Sequence, residues 1–155
     1  MTLIQELKNQ ASMGGLLQSH DIKRFNPAEI REAIQGLVAN DDVDLACALG
    51  DAGLSIYPQS EDILAITGLL AVMRQDWSQA VELLEDLMRI QGANTQPFTY
   101  VMLVRALRCN LEPARALEMA RRGVALYPEQ VELLAEKLAL DDFSDALVST
   151  EGQAH

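Results

Sequence analysis

The side chains that could do chemistry in this sequence are few and scattered. Histidine occurs as His20, in a loop-like stretch, and as His155, the last residue. A Ser-His-Asp site, a Cys-His pair on a rigid element or a histidine metal site is therefore not expected. Cys47 and Cys109 stand singly in apolar stretches of helical spacing. They read as small buried hydrophobes of a reduced protein, not as a zinc set or a disulfide framework. The carboxylate pairs Glu61/Asp62, Glu85/Asp86 and Asp141/Asp142 fall at helix starts or on polar faces, where solvation or the helix dipole accounts for them better than acid-base work. Gly14-Gly15 lacks the strand, the further glycines and the lysine of a phosphate loop. The chemistry expected is recognition: no enzyme, no cofactor and no metal.

Composition narrows the partner. The chain has 155 residues, 49% of them hydrophobic, a formal charge of -11 and a pI near 4.5. An acidic surface of this kind disfavours nucleic acid and anionic membranes. The longest apolar run, 63–73, is too short to span a bilayer, and the first residues lack a signal-peptide core, so a cytoplasmic setting without membrane insertion is expected. Charge is uneven: 97–128 sums to +3 through five arginines, whereas 27–60, 61–96 and 129–155 sum to -5, -4 and -6. The basic patch calls for an acidic group on the ligand, because arginine holds a carboxylate bidentately.

The elements that must position these residues are helices. In 61–92, EDILAITGLLAVMRQDWSQAVELLEDLMRIQG, Leu64, Thr67, Gly68 and Ala71 stand at relative positions 4, 7, 8 and 11, and Ala80, Leu84 and Leu87 at 20, 24 and 27. That spacing predicts two amphipathic helices, neither able to bury its apolar face alone. Asp76 is placed to cap the second, with Gln79 completing a capping box, and Gly92 to stop it. Asn26-Pro27-Ala28-Glu29 is another helix start, with Asn26 as cap and Glu29 reaching back. Counting from Pro27 puts Ile30, Ala33, Ile34 and Leu37 at 4, 7, 8 and 11, Ala46 at 20 and Pro58 at 32. Asp41 or Asp42 is expected to cap the helix that follows. Counting from Pro97 puts Tyr100, Leu103, Val104 and Leu107 at 4, 7, 8 and 11, with Ala116, Ala120, Gly123 and Pro128 at 20, 24, 27 and 32. Gly53 to Pro58, GLSIYP, aligns with Gly123 to Pro128, GVALYP, 70 residues on. The Tyr-Pro end closes a helix with a residue that cannot continue it and leaves an aromatic to pack on the next.

This period resembles the tetratricopeptide repeat, a helix-turn-helix unit of about 34 residues with a small residue at position 8 and Ala at 20. Ile34 at position 8 of the first frame departs from that pattern. The resemblance covers about 27–140 and implies an all-α fold: a right-handed stack of about three helical hairpins. An N-terminal helical arm (1–26) precedes the repeat domain (27–148), and a disordered tail (149–155) follows it. Within the domain, a capping helix is expected over 129–141, then a short turn over 142–148. In the arm, 2–13 reads as a helix ended by Gly14-Gly15, and Leu16, Leu17, Ile22 and Phe25 either pack back on the stack or swap onto a second copy, making a homodimer.

The resemblance also implies a concave groove that binds another protein or an extended peptide segment. Its groove positions map here onto a candidate set of Arg31, Leu69, Val72, Met73, Phe98, Val101, Arg105 and Arg108. The competing reading makes Leu69, Val72 and Met73 core covered by the N-terminal arm and lets the arginines pair internally. Size, charge and layout are similar to the repeat chaperones and accessory proteins of bacterial type III secretion, which hold an aggregation-prone segment of a partner before export. The alternative role is a structural subunit or assembly scaffold of a larger complex.

Overall fold

The computed structural model describes residues 22–153, with side chains through Ser144. Among these residues the secondary structure is entirely helical, as expected from the periodicity. The chain divides between Arg74 and Gln75 into two compact units. The expected 2–13 helix, its glycine break and the swapping arm lie outside the described residues.

The first unit holds α1 (Pro27–Ala39), α2 (Val43–Ile56) and α3 (Glu61–Met73). The Asn26 capping box forms as expected: Asn26 Oδ1 accepts from the Glu29 N–H at 2.8 Å, and Glu29 Oε1 accepts from the Asn26 N–H at 3.1 Å. Ser60 caps α3 through the Ile63 N–H. Asp42 occupies the N-cap of α2, but its side chain makes no cap bond. The three helices pack on one another around Ile30, Ile34, Leu37, Leu49, Ile63 and Leu70. Ile22 is buried in this core and Phe25 packs against it, so these two residues follow the packed-back alternative.

The second unit holds α4 (Trp77–Gln91), a 3-10 turn (Gly92–Asn94), α5 (Pro97–Cys109), α6 (Pro113–Leu126) and α7 (Val131–Gln153). Asp76 caps α4 through the Gln79 N–H, without the reciprocal bond that would make a box. Gly92 ends the helix with φ of 57°, the left-handed conformation that glycine enters without a Cβ penalty. α5 packs on α4, α6 and α7, and α6 packs on α7. Leu103, Leu107, Ala116, Ala120 and Leu133 are fully buried there.

Two features recur at fixed positions of the repeat. The turns that follow α1, α3 and α5 each contain a residue in the left-handed region that is not glycine: Asp41, Gln75 and Leu111, at φ of 64°, 60° and 61°. All three stand at position 15, counted from Pro27, Glu61 and Pro97. The Tyr-Pro ends also match, although the tyrosines act differently from the expectation. Tyr57 Oη donates to the Phe25 carbonyl at 2.7 Å, and Tyr127 Oη donates to the Thr95 carbonyl at 2.6 Å. Each hydroxyl therefore reaches back 32 residues to the strand of chain entering its own hairpin, tying the end of the repeat to its beginning.

α7 differs from the expectation at its far end. It continues as one helix through Gln153, where a turn over 142–148 and a disordered tail from 149 were expected. No Pro or Gly interrupts 131–151, and Leu, Ala, Glu and Lys in that stretch favour helix.

Candidate partner-binding surface

The candidate residues fall into two sets, one in each unit. In the first, Arg31 on α1 pairs with Asp62 on α3, while its buried Nε has no hydrogen-bond partner among the described residues. Leu69 is half-buried and packs against the core of the unit. Val72 is also half-buried, and Met73, at the end of α3, is 48% exposed. The arm that would cover these residues in the competing reading lies, up to residue 21, outside the described residues.

In the second unit, Phe98 lies one residue into α5 and is 40% exposed. Val101 is 1% exposed. This corrects its assignment to an open strip: three positions past Phe98 keeps Val101 near the same side of α5, but α5 is packed by α4, α6 and α7, and those contacts have already consumed its surface. Arg105 and Arg108, one turn apart on α5, converge on a single carboxylate of α7. Arg105 Nε donates to Glu136 Oε1 at 3.3 Å, and Arg108 donates to both oxygens, Nε to Oε2 at 3.0 Å and Nη2 to Oε1 at 3.3 Å. Glu136 is only 13% exposed, whereas the two arginines are 39% and 45% exposed. The internal-pairing alternative thus describes both guanidiniums. Charge reversal at either one would set two carboxylates together, disturbing the α5–α7 contact as well as any ligand.

Other ion pairs occupy the rest of the basic patch. Arg115 pairs with Glu112 and Glu85, and Arg121 pairs with Asp141, which Lys137 also holds at 2.9 Å. A hydrogen bond from Asn110, with Arg115 beside it, holds the Glu112 carboxyl below its ordinary value. Lys137, and then Arg121, do the same for Asp141. Arg122 has no ion-pair partner among the described residues. It lines a cleft of about 500 Å³ between α6 and α7, together with Leu117, Arg121, Leu140 and Phe143. Sequence reasoning missed this cleft; Phe143 had been placed in a turn.

Among the described residues no group of three or more His, Cys, Asp and Glu side chains could hold a metal. No helix there is long and apolar enough to cross a membrane. Cys47 and Cys109 are free and half-buried, in keeping with small hydrophobic packing residues. Of the candidate apolar residues, Met73 in the first unit and Phe98 in the second are exposed, and the candidate arginines of each unit already carry internal partners.

No family model and no curated protein matches this sequence. Among solved structures, "MamA RS-1 ArsTM double mutant", a tetratricopeptide-repeat protein, superposes with a TM-score of 0.71 at 15% identity, covering 92% of this chain and 84% of that one. The "Assembly Chaperone of RpL4 (Acl4) (Residues 1-338)" superposes with a TM-score of 0.57 at 18% identity over 97% of this chain, which spans 59% of the Acl4 chain. Helical hairpins without strands among the described residues, together with these two likenesses, show a tetratricopeptide-like all-α fold.

Proposed function

We propose that this chain is a protein-binding helical-repeat module, a small acidic adaptor or chaperone that holds an extended segment of a partner protein. The observation that carries the proposal is the exposure of Met73, with half-buried Leu69 and Val72, at ligand-facing positions of the repeat in the first unit. Phe98 is exposed at such a position in the second. Large apolar side chains left half open on an otherwise charged surface mark interaction sites when they are grouped with others of their kind. Leu69 and Val72 extend the Met73 set in the first unit. Arg31 in the first unit, and Arg105 and Arg108 in the second, supply positive charge that Asp62 and Glu136 respectively neutralise in part. Likeness to a protein named as an assembly chaperone supports the chaperone version. The narrower form places it in the cytoplasm beside a type III secretion system, with a homodimer through residues 1–26, and rests on size, charge and layout.

The test is capture of the partner from the native organism, its identification, and measurement of its affinity for the purified chain and for a Met73→Asp/Phe98→Asp variant. Affinity should fall at least tenfold while the helical circular dichroism is unchanged, about 1.4 kcal/mol or more of lost apolar contact. Unchanged affinity would remove both residues from the binding surface. The second reading, a structural subunit of a lasting complex, is separated by size-exclusion of the isolated chain. A chaperone runs as a soluble species and releases its partner, whereas a subunit stripped of a permanent interface aggregates.

A further inference from the structure

We propose that the outer face of α7 seats a basic amphipathic helix from a partner protein, in the position that the second helix of a fourth repeat would take. The third repeat shows what that face is for. Its residues at positions 4, 7, 8 and 11, namely Tyr100, Leu103, Val104 and Leu107, are at most 3% exposed. α5 packs there against α6 so closely that a Cβ on Gly123 would lie 3.2 Å from the Tyr100 Cβ.

Counting from Val131, α7 enters the same frame. Its positions 3 and 10, Leu133 and Leu140, are buried, as their counterparts Ile63 and Leu70 are in α3. Leu133 Cδ1 reaches within 3.1 Å of where a Gly123 Cβ would stand. α7 therefore docks on the third repeat as a first helix docks on the repeat before it. No second helix follows: where the other frames turn, at position 15, α7 runs straight on to Gln153. Positions 1, 4 and 8, Val131, Leu134 and Leu138, are left 74%, 36% and 61% exposed. They form one ridge at i, i+3 and i+7. Positions 7 and 11 are Lys137 and Asp141, which bond each other at 2.9 Å.

Electrostatics selects the occupant. Residues 129–155 sum to -6, and the exposed carboxylates Glu129, Glu132 and Asp142 have no ion-pair partner among the described residues. A second copy would set one acidic α7 against another, which repels. The chain's own residues 1–21 carry Lys8 against Glu6 and Asp21 and so do not complement the ridge either. An amphipathic helix with an apolar stripe and Lys or Arg beside it meets both demands, the recognition mode in which i, i+3, i+4 and i+7 anchors enter an apolar surface.

The probe is a synthetic helix of leucine and lysine at amphipathic spacing, about five turns long. Its fluorescence anisotropy is followed on titration with the full chain at physiological salt. Leu134→Ser/Leu138→Ser keeps the charge and should weaken binding about tenfold or more, with Leu138→Ala intermediate should the double variant fold poorly. Glu132→Gln/Asp142→Asn should weaken it several-fold. Equal binding by the leucine-serine variant overturns the proposal, because the peptide would then be held by charge alone. Equal affinity for a leucine-glutamate peptide also overturns it. So does a concentration-dependent dimer of the free chain that Leu134→Ser/Leu138→Ser abolishes, which would make a second copy the occupant.

Discussion

Tyr57 and Tyr127 close their hairpins with the same hydrogen bond, whereas Gly53 and Gly123, four residues before them, have different amounts of room. A Cβ on Gly53 would meet Ile30 and Ile63 at 3.4 Å, an ordinary contact. On Gly123 it would meet Leu133 at 3.1 Å and the Tyr100 Cβ at 3.2 Å. Glycine stands at position 27 of the first and third frames, where the middle frame has Leu87, yet only Gly123 is packed so tightly that a Cβ would crowd its neighbours. The cause is position 4 of the frame, where Tyr100 replaces Ile30 and presses its ring root against α6. A shared pattern therefore fixes the joint, and its local occupants decide how tightly the joint is drawn.

The glycines give the largest test of that comparison. Gly123→Ala should destabilise the chain by about 1–2 kcal/mol through overpacking against a Cβ that cannot swing away. Gly53→Ala should instead gain up to about 1 kcal/mol, because alanine is the better helix former and space is available. Urea denaturation measures both, and two shifts of the same sign would break the contrast. Next come the tyrosines. Tyr57→Phe and Tyr127→Phe should each cost about 0.5–1.5 kcal/mol, the net worth of one part-buried hydrogen bond. Costs that differ by more than that range would show the two ties to be alike in geometry alone.

The smallest effect is on the acid side and concerns the second unit. Glu112 and Asp141 are held below their ordinary carboxyl values by Asn110 and by Lys137 respectively. A carboxyl lowered by folding contributes fully above its unfolded value and loses that contribution as pH falls through its folded value. Stability from these groups is thus complete at neutral pH and declines below about pH 4.5. Asp141→Asn should flatten the loss of thermal stability between neutral and acid pH by a small amount, since the group is solvent-screened. An unchanged pH profile would detach the Lys137–Asp141 pair from folding stability.

Much of the fold was legible because its signals are local. The Asn26 box, the Gly92 stop, the alanines at position 20 and the matched Tyr-Pro ends each lie within a few residues of the element they define. The candidate surface was less so. Glu136 stands 31 and 28 residues from Arg105 and Arg108, so nothing near either arginine announces that its charge is already taken. Val101 was read from a family position, and its burial depends on tertiary packing. The left-handed turn residues were invisible for another reason: Asp, Gln and Leu share no turn preference, and only the frame makes Leu111 equivalent to Asp41. Extending that same frame past Val131 would have marked Leu134 and Leu138 as unpaired, a signal present in the sequence but read only as a capping helix.

Because one carboxylate already occupies Arg105 and Arg108, an incoming acidic ligand at that face would have to evict Glu136 or share it. Association would then be an exchange of counter-ions, with nearly the same number of ionic contacts before and after. Such an equilibrium responds weakly to added salt, and preference among ligands would follow how well each reproduces the forked geometry of the displaced group, more than how much charge it carries.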